Sequence, residues 1–153
     1  MLKNLLKLKD SGFTLIEMLI VIMIITILVG VSLPRIQGMQ DEGNIAKSKG
    51  ELKTLQTAVE SYYIHNSYAY PAAITAITSA TPLVVATLPD DPFAASGTKY
   101  VYVRGGTGNK YYVIYSIGTG ANGSAAISSD DVSETNGSSC IYISNMATVD
   151  SAP

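Results

Sequence analysis

One carboxylate in this chain stands out by its setting. Glu17 lies within residues 13–33, FTLIEMLIVIMIITILVGVSL, where no other side chain is ionisable. A carboxylate inside a helix of membrane-spanning length costs at least about 2.5 kcal/mol and is functional by default, so it needs a partner. With no Lys or Arg in the stretch, an opposite charge would come from outside it; the alternatives are that Glu17 lies near the headgroups or is protonated. Other reactive groups are few. His65 is the single histidine and Cys140 the single cysteine, which excludes multi-histidine zinc sites and any intramolecular disulfide framework. A serine–histidine–acid triad has only His65 to build on, in a helix-like stretch without a nucleophile-elbow motif nearby, so an enzyme is not expected.

The elements around Glu17 follow from composition. The chain has 153 residues, 47% hydrophobic and only 14% charged, against roughly 25% charged in ordinary soluble domains. The formal net charge of −2 gives no bulk electrostatic case for nucleic acid. Much of the apolar excess sits in residues 13–33, which span about 30 Å as a helix, enough to cross a bilayer. Lys3, Lys7 and Lys9 precede the stretch and only Arg35 lies within ten residues after it. That bias keeps Met1 cytoplasmic and exports the rest. A secretory signal cut near residues 30–32 and a plain single-pass anchor are the alternatives on these features alone.

Beyond Pro34, the apolar residues Leu52, Leu55, Val59 and Tyr62 recur at helical spacing with Glu51, Lys53, Gln56 and Glu60 between them. This predicts an amphipathic helix ending before Tyr70 and Pro71, with Gly38, Gly43 and Gly50 weakening its first half. Residues 100–103 and 111–117 are rich in β-branched and aromatic side chains. The Gly105-Gly106 and Gly108-Asn109 pairs lie between them, a hairpin pattern. Residues 140–144 form a third strand candidate, and residues 118–139, rich in Gly, Ser, Ala, Asn and Asp, read as a long variable loop. The expected fold is α+β: a long amino-terminal helix, half transmembrane and half amphipathic, packed by a small antiparallel sheet through Leu52, Leu55 and Val59.

The run Gly12-Phe13-Thr14-Leu15-Ile16-Glu17, the basic leader before it and Pro34 at the far end resemble the amino terminus of the type IV pilin superfamily, which includes the type II secretion pseudopilins. The resemblance implies a leader, residues 1–12, removed by a membrane prepilin peptidase that cuts between Gly12 and Phe13 and methylates the new Phe13 amine. It implies a filament-core helix over 13–33, an amphipathic helix over 34–66 and an extracytoplasmic β-rich part over 67–153. Glu17 would pair with the Phe13 amine of a neighbouring subunit. Pro34, which removes a backbone hydrogen bond, would mark a weak point where the span leaves the membrane. The partners implied are copies of the chain in a helical filament, membrane lipid before assembly, and indirectly an inner-membrane assembly platform and its ATPase.

After loss of the leader the chain holds seven bases against eleven acids, a net of −4, which weakens a DNA-uptake role. Leu88-Pro89-Asp90-Asp91-Pro92-Phe93, Tyr100, Tyr102 and Ser116-Ile117-Gly118 resemble the layout of major type II pseudopilins. Those proteins carry a calcium loop after the Ser-x-Gly step, and Asp130, Asp131 and Glu134 are the oxygen ligands this chain could supply; Asn122 stands where an acid is expected. No cofactor is required by the resemblance. The expected function is a pseudopilin subunit supporting protein export. A surface type IV pilin for adhesion, motility or DNA uptake is the first alternative. A monomeric membrane-anchored module binding through residues 119–139 is the second.

Overall fold

The computed structural model describes residues 12–135 and 140–146, so the basic leader over residues 1–11 lies outside the described residues. Helix α1 spans Leu15–His65. Its first part is apolar on every side: Leu15–Ser32 has a mean hydropathy of 2.7 and none of it is buried, so by length and composition it can cross a membrane. The two hydroxyls on this stretch are satisfied within the helix, Thr26 Oγ1 donating to the Ile22 carbonyl at 2.7 Å and Ser32 Oγ to the Leu28 carbonyl at 2.8 Å. Such internal pairing is what a polar group in hydrocarbon requires. The helix is assigned without interruption through Pro34, whose missing N–H leaves the Gly30 carbonyl without its usual helical donor.

The chain divides into two compact units, Met1–Met39 and Gln40–Pro153. Within the second, α1 ends at His65, whose Nδ1 donates to the Ser61 carbonyl at 2.8 Å. A long connection containing a 3-10 turn at Ile74–Thr78 leads to strands β1 (Val101–Gly105) and β2 (Tyr111–Ser116), as the hairpin pattern predicts. Strands β3 (Ser124–Ser128) and β4 (Asp131–Thr135) form a second antiparallel pair, and β5 (Ile141–Ser144) completes a sheet of order β1-β2-β5.

The central strand β2 reads as a nearly continuous apolar run because both its faces are covered. Tyr112 and Ile114 face Leu52, Leu55, Ala58 and Val59 of α1 together with Tyr100 and Ile141. Val113, on the opposite face, packs with Ala125, Cys140 and Tyr142. The expected packing of the sheet on the Leu52, Leu55 and Val59 stripe is therefore the observed core.

The hairpin β3–β4 corrects the expectation of a long loop over residues 118–139. Ser128 pairs with Asp131 across a two-residue turn, Ser129 and Asp130, both at positive φ (52° and 59°). That is the turn geometry whose twist matches a hairpin, built here without glycine. Ala125, Ile127 and Val132 give this ribbon an apolar side that packs beside Val113.

Candidate functional site

Gly12 and Phe13 precede the helix and are exposed, Phe13 at 78%. The Gly12–Phe13 bond itself therefore lies outside the helix and is exposed. Thr14 then opens the helix. Its backbone N–H donates to Glu17 Oε2 at 2.8 Å, its hydroxyl donates to the same oxygen at 2.6 Å, and Thr14 Oγ1 accepts the Glu17 N–H at 3.3 Å. This is a reciprocal capping box, in which side chains stand in for the missing helical partners of the first turn. The carboxylate also faces the positive end of the helix dipole.

Glu17 thus has a partner inside its own chain, a neutral one that is neither lysine nor arginine. The signal was the spacing Thr-x-x-Glu at the head of an apolar run. A cut between Gly12 and Phe13, as the resemblance implies, would leave both members of the box in the remaining chain. Pro34 lies 17 residues beyond Glu17 in the same helix, and its side chain is outside the described residues.

In the folded unit, the carboxylates have different partners. Glu51 accepts the Tyr100 hydroxyl at 2.6 Å, and Glu60 accepts the Tyr112 hydroxyl at 2.7 Å and that of Tyr70 at 3.2 Å. Gln56 Nε2 donates to the Ser144 carbonyl at 3.0 Å. Three of the polar residues expected between the apolar positions of the helix therefore line the seam with the sheet. Burial first, and then the neighbouring carboxylate as acceptor, push the Tyr100 and Tyr112 hydroxyls above the ordinary tyrosine range; burial does the same for Tyr102.

Asp91 is 3% exposed. It accepts the Ser116 hydroxyl at 2.7 Å, the Ile117 N–H at 3.0 Å and the Phe93 N–H at 3.0 Å. The Leu88–Phe93 segment and the Ser116-Ile117-Gly118 step, separate in sequence, are joined by this one side chain. Gly123 continues the closure. Its N–H donates to the Ile117 carbonyl at 2.9 Å, and a Cβ there would meet that carbonyl at 2.7 Å and Cys140 Cα at 2.9 Å.

The three residues expected to hold calcium are dispersed in role. Asp130 Oδ1 accepts the Thr107 N–H at 2.6 Å and Oδ2 accepts the Thr107 hydroxyl at 2.9 Å, while Asp131 Oδ1 accepts the Val132 N–H at 2.8 Å. Glu134 is in β4, and its side chain lies outside the described residues. Among the described residues, no three His, Cys, Asp or Glu side chains group as metal ligands. Each Asp130 oxygen takes one donor from Thr107, so a cation at this carboxylate would compete with Thr107 for it.

Comparison with known proteins bears on the amino terminus most directly. Residues 7–33 match the family described as the prokaryotic N-terminal methylation motif. The chain is 34% identical to type II secretion system core protein G of Pseudomonas aeruginosa over 64 residues, covering 42% of this chain and 44% of that protein. Against core protein G of Escherichia coli it is 33% identical over 97 residues, 63% of each. It is also 47% identical to competence protein ComGC of Halalkalibacterium halodurans over 58 residues, 36% of this chain and 54% of that protein. The chain therefore spans between 44% and 63% of the length of the two core proteins G. No solved structure matches it significantly. A box of Thr14 and Glu17 heading an exposed apolar helix, followed by a helix-on-sheet unit, thus belongs to a chain that carries the prokaryotic N-terminal methylation motif and is similar to the type II secretion core proteins G.

Proposed function

We propose that the chain is a structural subunit, not an enzyme, of a type II secretion pseudopilus that supports protein export. The observation that carries this reading is the exposed apolar stretch Leu15–Ser32, headed by one carboxylate and lying under the methylation motif. Single-span anchoring needs no carboxylate, whereas a surface meant for other copies of itself can use one. Before assembly the stretch is solvated by lipid tails. In a filament the same surface packs against neighbouring copies, and Glu17 passes from its own Thr14 to the amine of a neighbour's Phe13. Prepilin peptidase cuts between Gly12 and Phe13 and methylates Phe13. Anchoring is in the inner membrane with residues beyond Pro34 exported, and the filament stands in the periplasm on an assembly platform driven by an ATPase.

The test is crosslinking between copies in cells that hold the secretion machinery. A cysteine placed at Ile20 in a Cys140→Ser background gives a ladder of multiples in a filament subunit. The ladder is lost on Glu17→Ala while leader cleavage persists. A chain that stays monomeric with Glu17 intact contradicts the reading and fits a membrane-anchored binding module.

A further inference from the structure

The five-residue connection between β1 and β2 carries Thr107, and the two-residue turn between β3 and β4 carries Asp130, 23 residues later. Nothing local holds these two turns together. They are tied by the carboxylate of Asp130, each oxygen of which takes one donor from Thr107, the backbone N–H at 2.6 Å and the hydroxyl at 2.9 Å. Two features show that the site is built around this tie. Asp130 is held at φ 59°, in the left-handed region that non-glycine residues adopt only at some cost, and that conformation belongs to the turn presenting its carboxylate. On the other side, Gly106 sits at φ 76°, and a Cβ there would come within 2.7 Å of Asp130 Oδ1 and strike the Tyr111 ring. The glycine thus leaves room for the carboxylate to reach Thr107.

We infer that Asp130 and Thr107 form an internal clamp that fastens the β3–β4 hairpin to the β1–β2 turn, so that this end of the fold is set by side-chain hydrogen bonds and not by a bound cation. The comparison with a cation rests on the pseudopilin resemblance; the clamp itself does not. A charge-assisted pair of bonds to one carboxylate is stronger than neutral ones, and its geometry fixes both turns at once. A divalent cation would have to take Asp130 from Thr107, leaving a backbone N–H and a hydroxyl to find other acceptors. Assembly through the α1 surface would then proceed without extracytoplasmic calcium.

Thermal melting of the full chain in detergent tests this. Excess EGTA and then millimolar calcium are each expected to leave Tm unchanged. Asp130→Asn is expected to lower Tm by about 4–8 °C and Thr107→Val by a similar amount. The double variant should lose no more than the larger single loss, because the two residues share one interaction. Thr107→Ser keeps both donors and should melt like the parent. If Asp130→Asn does not fold, Thr107→Val and the calcium arm on the unaltered chain still decide. A rise in Tm with calcium that Asp130→Asn abolishes would overturn the clamp in favour of a cation site. Additive losses in the double variant would overturn it as well. None of these readouts depends on filament formation, so a failed crosslinking ladder and a failed clamp are separate results.

Discussion

Glu17 and Asp91 are both carboxylates in unusual places, and they are satisfied in opposite ways. Glu17 is on an exposed helix and is held by a residue three positions away, through contacts that any isolated copy of the helix can make. Asp91 is 3% exposed and is held by Ser116 and Ile117, residues 25 and 26 positions away, as well as by Phe93. Local capping makes Glu17 available: it can be given up to a better partner at the cost of a helix cap. Long-range capping makes Asp91 permanent, since releasing it leaves the buried Ser116 hydroxyl and two part-buried N–H groups without their acceptor. The first carboxylate is suited to assembly and the second to folding.

Substitutions should separate the two. The largest expected effect is Glu17→Ala, which abolishes filaments scored by electron microscopy of sheared material while leaving Tm of the folded unit unchanged. Glu17→Gln retains an acceptor for the Thr14 N–H but not the charge, so filaments lost in this variant too would assign the role to charge. Next is Asp91→Ala. It leaves one buried and two part-buried donors without their acceptor and should cost about 3 kcal/mol, read as a lower midpoint in denaturant, with membrane insertion intact. Tyr112→Phe should cost about 1–2 kcal/mol, because Glu60 keeps Tyr70 as a donor while the ring packing is retained.

The smallest effect is one of pH. The Tyr100, Tyr102 and Tyr112 hydroxyls titrate higher in the fold than in the unfolded chain, so the fold prefers their neutral forms. Their contribution is fully present below about pH 10 and is lost as pH rises further, through the raised values. Melting temperature should be flat across neutral pH for these groups and fall above about pH 10. Tyr112→Phe should flatten part of that fall.

Much of this was legible in the sequence, for reasons that differ by element. The stripe of Leu52, Leu55 and Val59 has helical period, and 111–117 is dense in aromatic and β-branched residues, so local pattern and global packing agree. The ribbon β3–β4 was missed because SAAIS and DVSET are small and polar and because its turn, Ser129-Asp130, lacks the glycine or asparagine usual at two positive φ angles. The Thr14–Glu17 box is legible as a helix-start spacing, but its partner is a neutral hydroxyl and N–H, not an opposite charge. The role of Asp91 could not be read locally: Leu88–Phe93 and Ser116-Ile117-Gly118 were both noticed, and only the fold brings them together. Likewise Asp130 was noticed as an oxygen donor, while its acceptor role toward Thr107 depends on two turns meeting.

The most direct measurement is the amino-terminal sequence and intact mass of the protein in the membrane fraction. Assembly through a helix headed by Thr14 and Glu17 predicts a chain starting at Phe13 and carrying one added methyl group. A start near Ser32 would contradict it by showing a secreted domain without the span, and an intact Met1 would contradict it by showing a plain anchor.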